Sequence, residues 1–240
     1  MIAIGNFFFR YRNFLFIFLY LALFIPSPQI FTETVLGPNY YWYPLIIGLF
    51  ITISGQLIRG IAISLAYIVR GGLNKKVHAD DLITEGLFNH GRNPLYVGNI
   101  MMLVGVGILI NSMLFMLFFI PLFLFIYQAI VLAEENFLRK KFGSQFDAYC
   151  ERVNRWWINF NGIGSTMKNM AFKGKRWLIK EYNTQTVWLL GIVIILLFYY
   201  PQLTGGDEIL RNNIGITACA ILAAYYGTIR YLKKSGKWKP

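Results

Sequence analysis

Residues 92–135 read RNPLYVGNIMMLVGVGILINSMLFMLFFIPLFLFIYQAIVLAEE, and the predicted fold is built around them. Two apolar runs are joined only by Asn111 and Ser112, a linker so short that it predicts a tight helical hairpin. The two helices of such a hairpin are antiparallel neighbours, so both of its open ends lie on one side. The RNPLY segment at one end should therefore meet Glu134 and Glu135 at the other, which predicts a polar site at the mouth of the hairpin.

The composition is that of a membrane protein. Of the 240 residues, 56% are hydrophobic and 14% are charged, whereas a soluble domain has about 45–50% apolar and about 25% charged residues. Several runs approach the roughly 20 apolar residues that cross a hydrocarbon core. We predict an all-α, polytopic membrane helix bundle of about six transmembrane helices with a cytoplasmic interfacial helix. The predicted spans are 14–31, 44–69, 95–111, 113–133, 186–203 and 213–232.

The chain is predicted to divide into two parts. Residues 1–185 would form a core whose site motifs lie within 80–155, and residues 186–240 would add a C-terminal extension of two transmembrane helices. The first apolar run follows Arg10 and Arg12 as in a signal peptide, but PSPQIF comes after it where small cleavage-site residues would be expected. We therefore expect an uncleaved first span.

The positions of the basic residues predict how the chain is oriented in the membrane. The formal net charge is +12, and the basic residues fall in alternating loops, with only Arg211 in a loop on the other side. By the positive-inside rule both termini should be cytoplasmic, in an integral, multi-pass protein that we expect in a bacterial inner membrane. Bilayer lipid is the expected partner. Nucleic-acid binding is not expected, because no recognition motif accompanies the charge.

The second predicted span contains SGQLIRG, in which Gln56 and Arg59 interrupt an apolar helix. An arginine at the centre of a bilayer costs at least about 2.5 kcal/mol, so Arg59 should face the bundle interior or a water-filled cavity. Two interpretations stay open at this point. Arg59 pairs structurally with a neighbouring span, or it contacts a ligand directly.

The residues around Pro94 predict how the chain enters the first helix of the hairpin. Pro94 suits the first turn of a helix, and the residue before a proline is pushed out of the helical region. Arg92 and Asn93 should therefore lie in a loop just beneath the helix start. The i, i+4 spacing of Glu135 and Arg139 allows a helix salt bridge.

The polar region after the hairpin is predicted to lie near the membrane interface. Residues 134–152 read as an amphipathic interfacial helix, and residues 159–180 as a basic linker. Cys150 and Cys219 offer neither metal-ligand spacing nor a disulfide framework, so no metal is expected. His78 and His90 are loop residues without a position that marks either as a catalytic base.

Three stretches resemble the integral-membrane methyltransferases that use S-adenosylmethionine, typified by isoprenylcysteine carboxyl methyltransferase and the phospholipid N-methyltransferases. That family shows LVT-x-G-x-Y, then RHP-x-Y-x-G, an apolar hairpin, and EE-x-x-L-x-x-x-FG-x-x-Y-x-x-Y-x-x-R-V. Here the stretches read LITEGLF (82–88), RNPLYVG (92–98) and EENFLRKKFGSQFDAYCERV (134–153). Order and spacing agree over about residues 80–155.

The resemblance implies S-adenosyl-L-methionine as cofactor and methyl transfer to a lipid-soluble acceptor at the cytoplasmic membrane face. Asn93 replaces the histidine of the family's RHP, so this residue can hydrogen-bond but cannot transfer a proton. The resemblance assigns catalytic roles to Arg92, Glu135 and Arg152, and substrate contacts to Gln56 and Arg59. It assigns the cofactor to Asp80, Leu82, Ile83, Phe88, Asn93, Pro94, Leu95, Tyr96 and Glu134.

Two other functions stay open on the sequence. A membrane reductase of the sterol or enone type, using NADPH, would share a similar hairpin and a similar G-L-F…P-x-Y-x-G stretch. A non-catalytic, lipid-binding membrane protein would retain only part of the site. The acceptor of a methyltransferase is also open, since a quinone or isoprenoid, a phospholipid amine, a thiol or a prenyl thioether carboxylate is compatible with the motifs.

Overall fold

The computed structural model describes residues 1–66 and 79–239 and confirms the all-helical class. Within these residues there is no strand, only an isolated bridge between Gln29 and Ser112. The helices of the described residues are α1 Ile2–Leu21, α2 Glu33–Leu36, α3 Trp42–Leu65, α4 Pro94–Leu109, α5 Ile120–Phe142, α6 Ser144–Arg152, α7 Ile163–Asn169, α8 Gly174–Tyr199 and α9 Glu208–Lys234. His78 and residues 67–69 of the predicted second span lie outside the described residues.

Three helical segments of the described chain are long and apolar enough to cross a membrane: Trp42–Leu65, Phe115–Phe142 and Gly174–Tyr199. The N-terminal segments Ile2–Arg12 and Phe14–Phe24, bent by 78°, give a fourth if they count as one span. The protein is therefore a multi-pass membrane protein with three to four candidate spans. The predicted number of six is not confirmed, because α4 is a shorter apolar helix and α9, although long, is not apolar enough to count as a span.

The helices pack in a continuous series. Helix α9 packs against α8, α8 against α3, α3 against α4, α4 against α5, and α5 against α1. A cluster of buried apolar side chains from α1, α3, α4, α5, α8 and the turn before α5 forms the core, with Phe115, Phe123 and Tyr127 among its largest members. This series places the start of α4 between α3 on one side and α5 on the other.

The tight hairpin is confirmed. Helix α4 ends at Leu109, and Asn111 takes the left-handed conformation with φ 59°, which asparagine tolerates better than most residues. Its side-chain oxygen accepts hydrogen bonds from the backbone N–H groups of Ile30 (3.0 Å) and Phe31 (2.8 Å). A π-helical turn, Phe115–Phe119, then leads into α5 just before Pro121, whose missing N–H cannot continue a regular helix. The hairpin tip is thus fixed to the loop that follows α1.

Two boundaries differ from the predictions. The interfacial helix predicted over 134–152 is two helices, because Gly143 has φ 51° between α5 and α6. The basic linker predicted over 159–180 contains α7 and the first turns of α8, which starts at Gly174. Buried residues on one side of these turns pack on α3, so tertiary contacts outweigh the polar composition there. The predicted domain boundary between residues 185 and 186 falls inside α8.

Helices α3 and α4 approach backbone to backbone. A Cβ added to Gly98 would lie 2.6 Å from Cγ of Arg59 and 2.7 Å from the carbonyl oxygen of Gly55. A Cβ added to Gly105 would lie 2.4 Å from the backbone nitrogen of Thr52. Small residues permit such close packing of helices in membranes. The contact at Gly98 also brings the Arg59 side chain over the first turns of α4.

We expect Gly98→Ala to lower the free energy of unfolding by about 1–3 kcal/mol, the usual range for overpacking a tight contact. The carbonyl of Gly55 is backbone and cannot move aside without shifting α3. Gly191→Ala on α8 is the matched control, because its added Cβ would meet nothing within 4 Å. Thermal unfolding in detergent should show a lower midpoint for Gly98→Ala alone. Equal midpoints for both variants would contradict the close packing.

Candidate functional site

The two ends of the hairpin meet as predicted. The hydroxyl of Tyr96, on the first turn of α4, donates a 2.8 Å hydrogen bond to Oε1 of Glu134 on α5. Nη2 of Arg92 lies 3.4 Å from Oε1 of Glu135. The acidic pair on α5 and the loop before α4 therefore form one polar cluster at the mouth of the hairpin.

Glu135 is the centre of this cluster. It is 6% exposed, and Arg155 forms a bidentate pair with it, with Nε 2.9 Å from Oε1 and Nη2 2.8 Å from Oε2. These hydrogen bonds raise the pKa of the Arg155 guanidinium. The i, i+4 pair with Arg139 does not form, because Arg139 pairs with Asp147 at 2.7 Å instead.

Arg155 was not predicted as a site residue. It lies three residues after Arg152, the residue that the family pattern singles out, and Arg152 is exposed at the last residue of α6. In the part of the chain that the structure describes, Arg152 forms no ion pair. The chain turns away from the helix after Val153, and only this turn brings Arg155 to Glu135. The family pattern favours Arg152, and no signal in the sequence points to Arg155 instead.

The loop before α4 is held by the segment after α6. The backbone N–H of Arg92 donates to the carbonyl of Asn154 (2.9 Å), and Nδ2 of Asn93 donates to the carbonyl of Arg155 (3.1 Å). Pro94 takes the first helical position with Asn93 as N-cap residue, which confirms the predicted start of α4. Nε of Arg92 is buried and has no hydrogen-bond partner in the described residues. One donor of this arginine is thus left for another group.

The LITEGLF stretch, which the resemblance assigns to the wall of the cofactor pocket, contacts α6. Leu82 packs against a small cluster of Phe146, Tyr149 and Val153. The Tyr149 hydroxyl donates a 2.7 Å hydrogen bond to the carbonyl of Phe88, and burial raises the pKa of that hydroxyl. This tyrosine therefore serves as a neutral donor that fixes Phe88 to α6.

The other predicted cofactor residues differ in their exposure to solvent. Ile83, Pro94 and Leu95 are buried or half-buried, whereas Asp80 is exposed. The side chain of Lys141 on α5 donates to the backbone carbonyls of Ala79 and Asp80. The chain near residue 80 is thereby tied to the C-terminal end of α5, which follows Glu134.

His90 has a structural position. It is 5% exposed; Nδ1 lies 2.8 Å from the carbonyl oxygen of Asn159, and Nε2 lies 2.8 Å from Oγ1 of Thr166. Because a carbonyl oxygen only accepts, Nδ1 carries a proton and Nε2 is bound by the hydroxyl. The ring thus ties residues 159–166 to the loop before α4, and neither nitrogen is free to act as a base.

We expect His90→Ala to loosen this tie, because it removes two buried hydrogen bonds worth about 0.5–1.5 kcal/mol each. Amides of residues 159–166 should exchange with solvent faster than in the unaltered protein. Thr166→Val removes one of the two bonds and should have the smaller effect. Unchanged exchange in both variants would show that other contacts hold this segment.

Arg59 is fully engaged by other residues. It is 3% exposed, and Nε and Nη2 each lie 2.8 Å from a carboxylate oxygen of Glu181 on α8. Nη1 donates to the carbonyl of Leu95 (3.3 Å) and to Oδ1 of Asn99. The structural pairing that the sequence left open is therefore present. Gln56, in contrast, is 4% exposed and neither of its amide atoms has a hydrogen-bond partner in the described residues.

The comparisons with known proteins agree with this geometry. The phospholipid methyltransferase family model matches residues 44–145, which include most of α3, the hairpin and Glu134. A probable protein-S-isoprenylcysteine O-methyltransferase of Oryza sativa subsp. indica is 31% identical over 134 residues, 51% of this chain and 66% of the relative. The match therefore spans slightly less than two thirds of the rice protein. No solved structure gives a significant match.

Two further relatives are similar over about half of the chain. Protein-S-isoprenylcysteine O-methyltransferase A of Arabidopsis thaliana is 30% identical over 141 residues, covering 55% of this chain and 70% of the relative. The nickel-cobalt-cadmium resistance protein NccN of Alcaligenes xylosoxydans xylosoxydans is 26% identical over 115 residues, covering 48% and 52%. By the extent of these matches, the chain belongs to the membrane methyltransferase family that contains the isoprenylcysteine O-methyltransferases and the phospholipid methyltransferases.

Proposed function

We propose that this protein transfers a methyl group from S-adenosylmethionine to a lipid-soluble acceptor at the cytoplasmic face of the membrane. The observation that carries the proposal is the polar cluster at the hairpin mouth, where Tyr96 orients Glu134 and Arg92 lies against Glu135. Apolar helices continue directly from this cluster, so a soluble cofactor and a membrane-dissolved acceptor can meet there.

The side chains of the cluster suit the polar groups of the cofactor. Its ammonium group and ribose hydroxyls require acceptors, and a carboxylate is the strongest available. Tyr96 uses Oε1 of Glu134, and Oε2 has no hydrogen-bond partner in the described chain. The cofactor's own carboxylate requires a cationic donor, and within residues 1–66 and 79–239 the buried Nε of Arg92 has no acceptor. When bound, S-adenosylmethionine supplies an electrophilic methyl group on a sulfonium.

The remaining predicted residues would enclose the cofactor. Leu82, Ile83 and Phe88 would form an apolar wall that Tyr149 holds in place. Asn93, Pro94 and Leu95 would lie along the opposite side, at the start of α4. Asp80 would stand at the solvent-facing rim, and Arg152 would act from the exposed end of α6.

Methyl transfer requires that the nucleophile, the methyl group and the sulfur lie in line with water excluded, so positioning governs the rate. We infer that Arg92 and Glu135, fixed by Arg155, orient the reacting groups. A carboxylate acceptor needs no base, whereas an amine or thiol must lose a proton. Because His90 is committed to Asn159 and Thr166, the arrangement favours an acceptor that is deprotonated before it binds.

The acceptor is proposed to reach the site through the bilayer. We assign Gln56 on α3, one turn from Arg59, to the acceptor's polar head, because its buried amide has no hydrogen-bond partner among the described residues. From the basic loops and the positive-inside rule we infer that the hairpin mouth lies in the cytoplasm, together with both termini. Residues 1–185 would carry the chemistry, with residues 186–240 shaping the lateral entrance for the acceptor.

The test is calorimetric titration of the detergent-purified protein with S-adenosylhomocysteine, the product cofactor, beside NADPH as control. We expect saturable binding of S-adenosylhomocysteine and none of NADPH. Binding of NADPH alone would overturn the proposal in favour of a reductase, and binding of neither would favour a non-catalytic protein. Transfer of a labelled methyl group to fractionated membrane lipids then identifies the acceptor class.

A further inference from the structure

Glu181 lies outside the region that the family model matches, yet it reaches the site. It belongs to α8, it is completely buried, and it forms a bidentate pair with Arg59 at 2.8 Å for both contacts. Bidentate pairing of a carboxylate with a guanidinium fixes the plane of the guanidinium as well as its position. The orientation of Arg59 is therefore set from α8.

Arg59 transmits this orientation to α4. Its Nη1 donates to the carbonyl of Leu95, which lies in the first turn of α4, and to the side chain of Asn99 one turn later. Tyr96, which holds Glu134, is the next residue after Leu95. The close approach at Gly98, where a Cβ would lie 2.6 Å from Cγ of Arg59, leaves the arginine stem little freedom.

The interface between α3 and α8 has a second hydrogen bond, which does not involve the start of α4. Trp188 on α8 donates a 2.7 Å hydrogen bond from Nε1 to Oγ1 of Thr52 on α3. Thr52 in turn donates to the carbonyl of Met102, two turns further along α4. Both contacts join α8 to α3, but only the contact between Glu181 and Arg59 reaches the first turn of α4. Removing each contact in turn therefore distinguishes a general loss of packing between α8 and α3 from a specific effect on the first turn of α4.

We propose that Glu181 is a positioning residue of the cofactor site, acting through Arg59 to fix Leu95 and hence Tyr96. The proposal rests on the proposed function, from which it takes the ligand of the site. The contacts from Glu181 through Arg59 to Leu95 do not depend on that function. It assigns the start of α8 to the functional unit, although this helix follows the part of the chain that resembles the family. Glu181 itself touches neither cofactor nor acceptor.

The experiment compares four proteins: the unaltered chain, Glu181→Gln, the double variant Arg59→Met/Glu181→Leu, and Trp188→Phe as control. Affinity for S-adenosylhomocysteine, the thermal midpoint and hydrogen exchange of amides in residues 95–99 are measured for each. We expect Glu181→Gln to bind about tenfold more weakly, the loss of roughly one charged hydrogen bond, with faster exchange at 95–99. Trp188→Phe should lower the midpoint but leave affinity and exchange at 95–99 unchanged.

The double variant distinguishes positioning from stability. Replacing both members of a buried ion pair by apolar residues often restores stability, so we expect its thermal midpoint to recover while affinity stays low and exchange stays fast. Recovery of affinity together with the midpoint would overturn the proposal, as would unaltered affinity and exchange in Glu181→Gln. If the unaltered chain binds no S-adenosylhomocysteine, the proposed function fails, and exchange at 95–99 still decides the role of Glu181.

Discussion

Replacing Glu134 by glutamine is expected to weaken binding of S-adenosylhomocysteine by about 10- to 100-fold. A hydrogen bond to a charged group contributes about 1.5–3 kcal/mol, and each 1.4 kcal/mol is about a factor of ten in affinity. Glutamine keeps the shape and can still accept from Tyr96, so the effect reports the lost charge and not a disrupted fold. Isothermal titration in detergent measures it directly.

Two further variants serve as comparisons for Glu134→Gln. Tyr96→Phe removes the hydroxyl that orients Glu134 but leaves the carboxylate, so its loss of affinity should be smaller than that of Glu134→Gln. Glu151→Gln makes the same chemical change at an exposed position of α6 and should bind as the unaltered protein does. If Glu134→Gln and Glu151→Gln bind equally well, Glu134 does not contact the cofactor.

Glu135→Ala is expected to cost the most stability of any single change in the site, about 3–5 kcal/mol. Removing one member of a buried ion pair leaves the other charge uncompensated, and here two cations, Arg92 and Arg155, lose the same carboxylate. The loop before α4 and the segment after α6 would separate at this point. Methyl transfer should be lost with the fold of the site.

Asp147→Ala is the matched control for Glu135→Ala. Asp147 pairs with Arg139 at 2.7 Å, as close as the pair at Glu135, but both side chains are half exposed. Exposed pairs contribute about 0–1 kcal/mol, so this variant should unfold at nearly the same denaturant concentration as the unaltered chain. Equal losses in the two variants would show that burial of Glu135 does not govern its contribution.

Much of the fold followed from local pattern. The apolar runs, the two-residue linker at Asn111 and Ser112 and the proline at position 94 depend on chain length, hydropathy and backbone geometry, which are properties of neighbouring residues. They determined the helical class, the hairpin and the meeting of its two ends, all of which the structure shows. The apolar pattern did not determine the number of spans, because a short apolar helix such as α4 can reach part way across a bilayer or be packed inside the protein.

Which polar side chains meet was a matter of tertiary structure. The sequence could not distinguish Arg152 from Arg155, since the turn after Val153 decides which one faces Glu135. It also could not foresee that Arg59 pairs with Glu181, a residue 122 positions later. Charge and spacing along the chain therefore determined that a polar site exists at the hairpin mouth. Long-range packing selected the arginines and carboxylates that form it, because the partners in these ion pairs are far apart in the sequence.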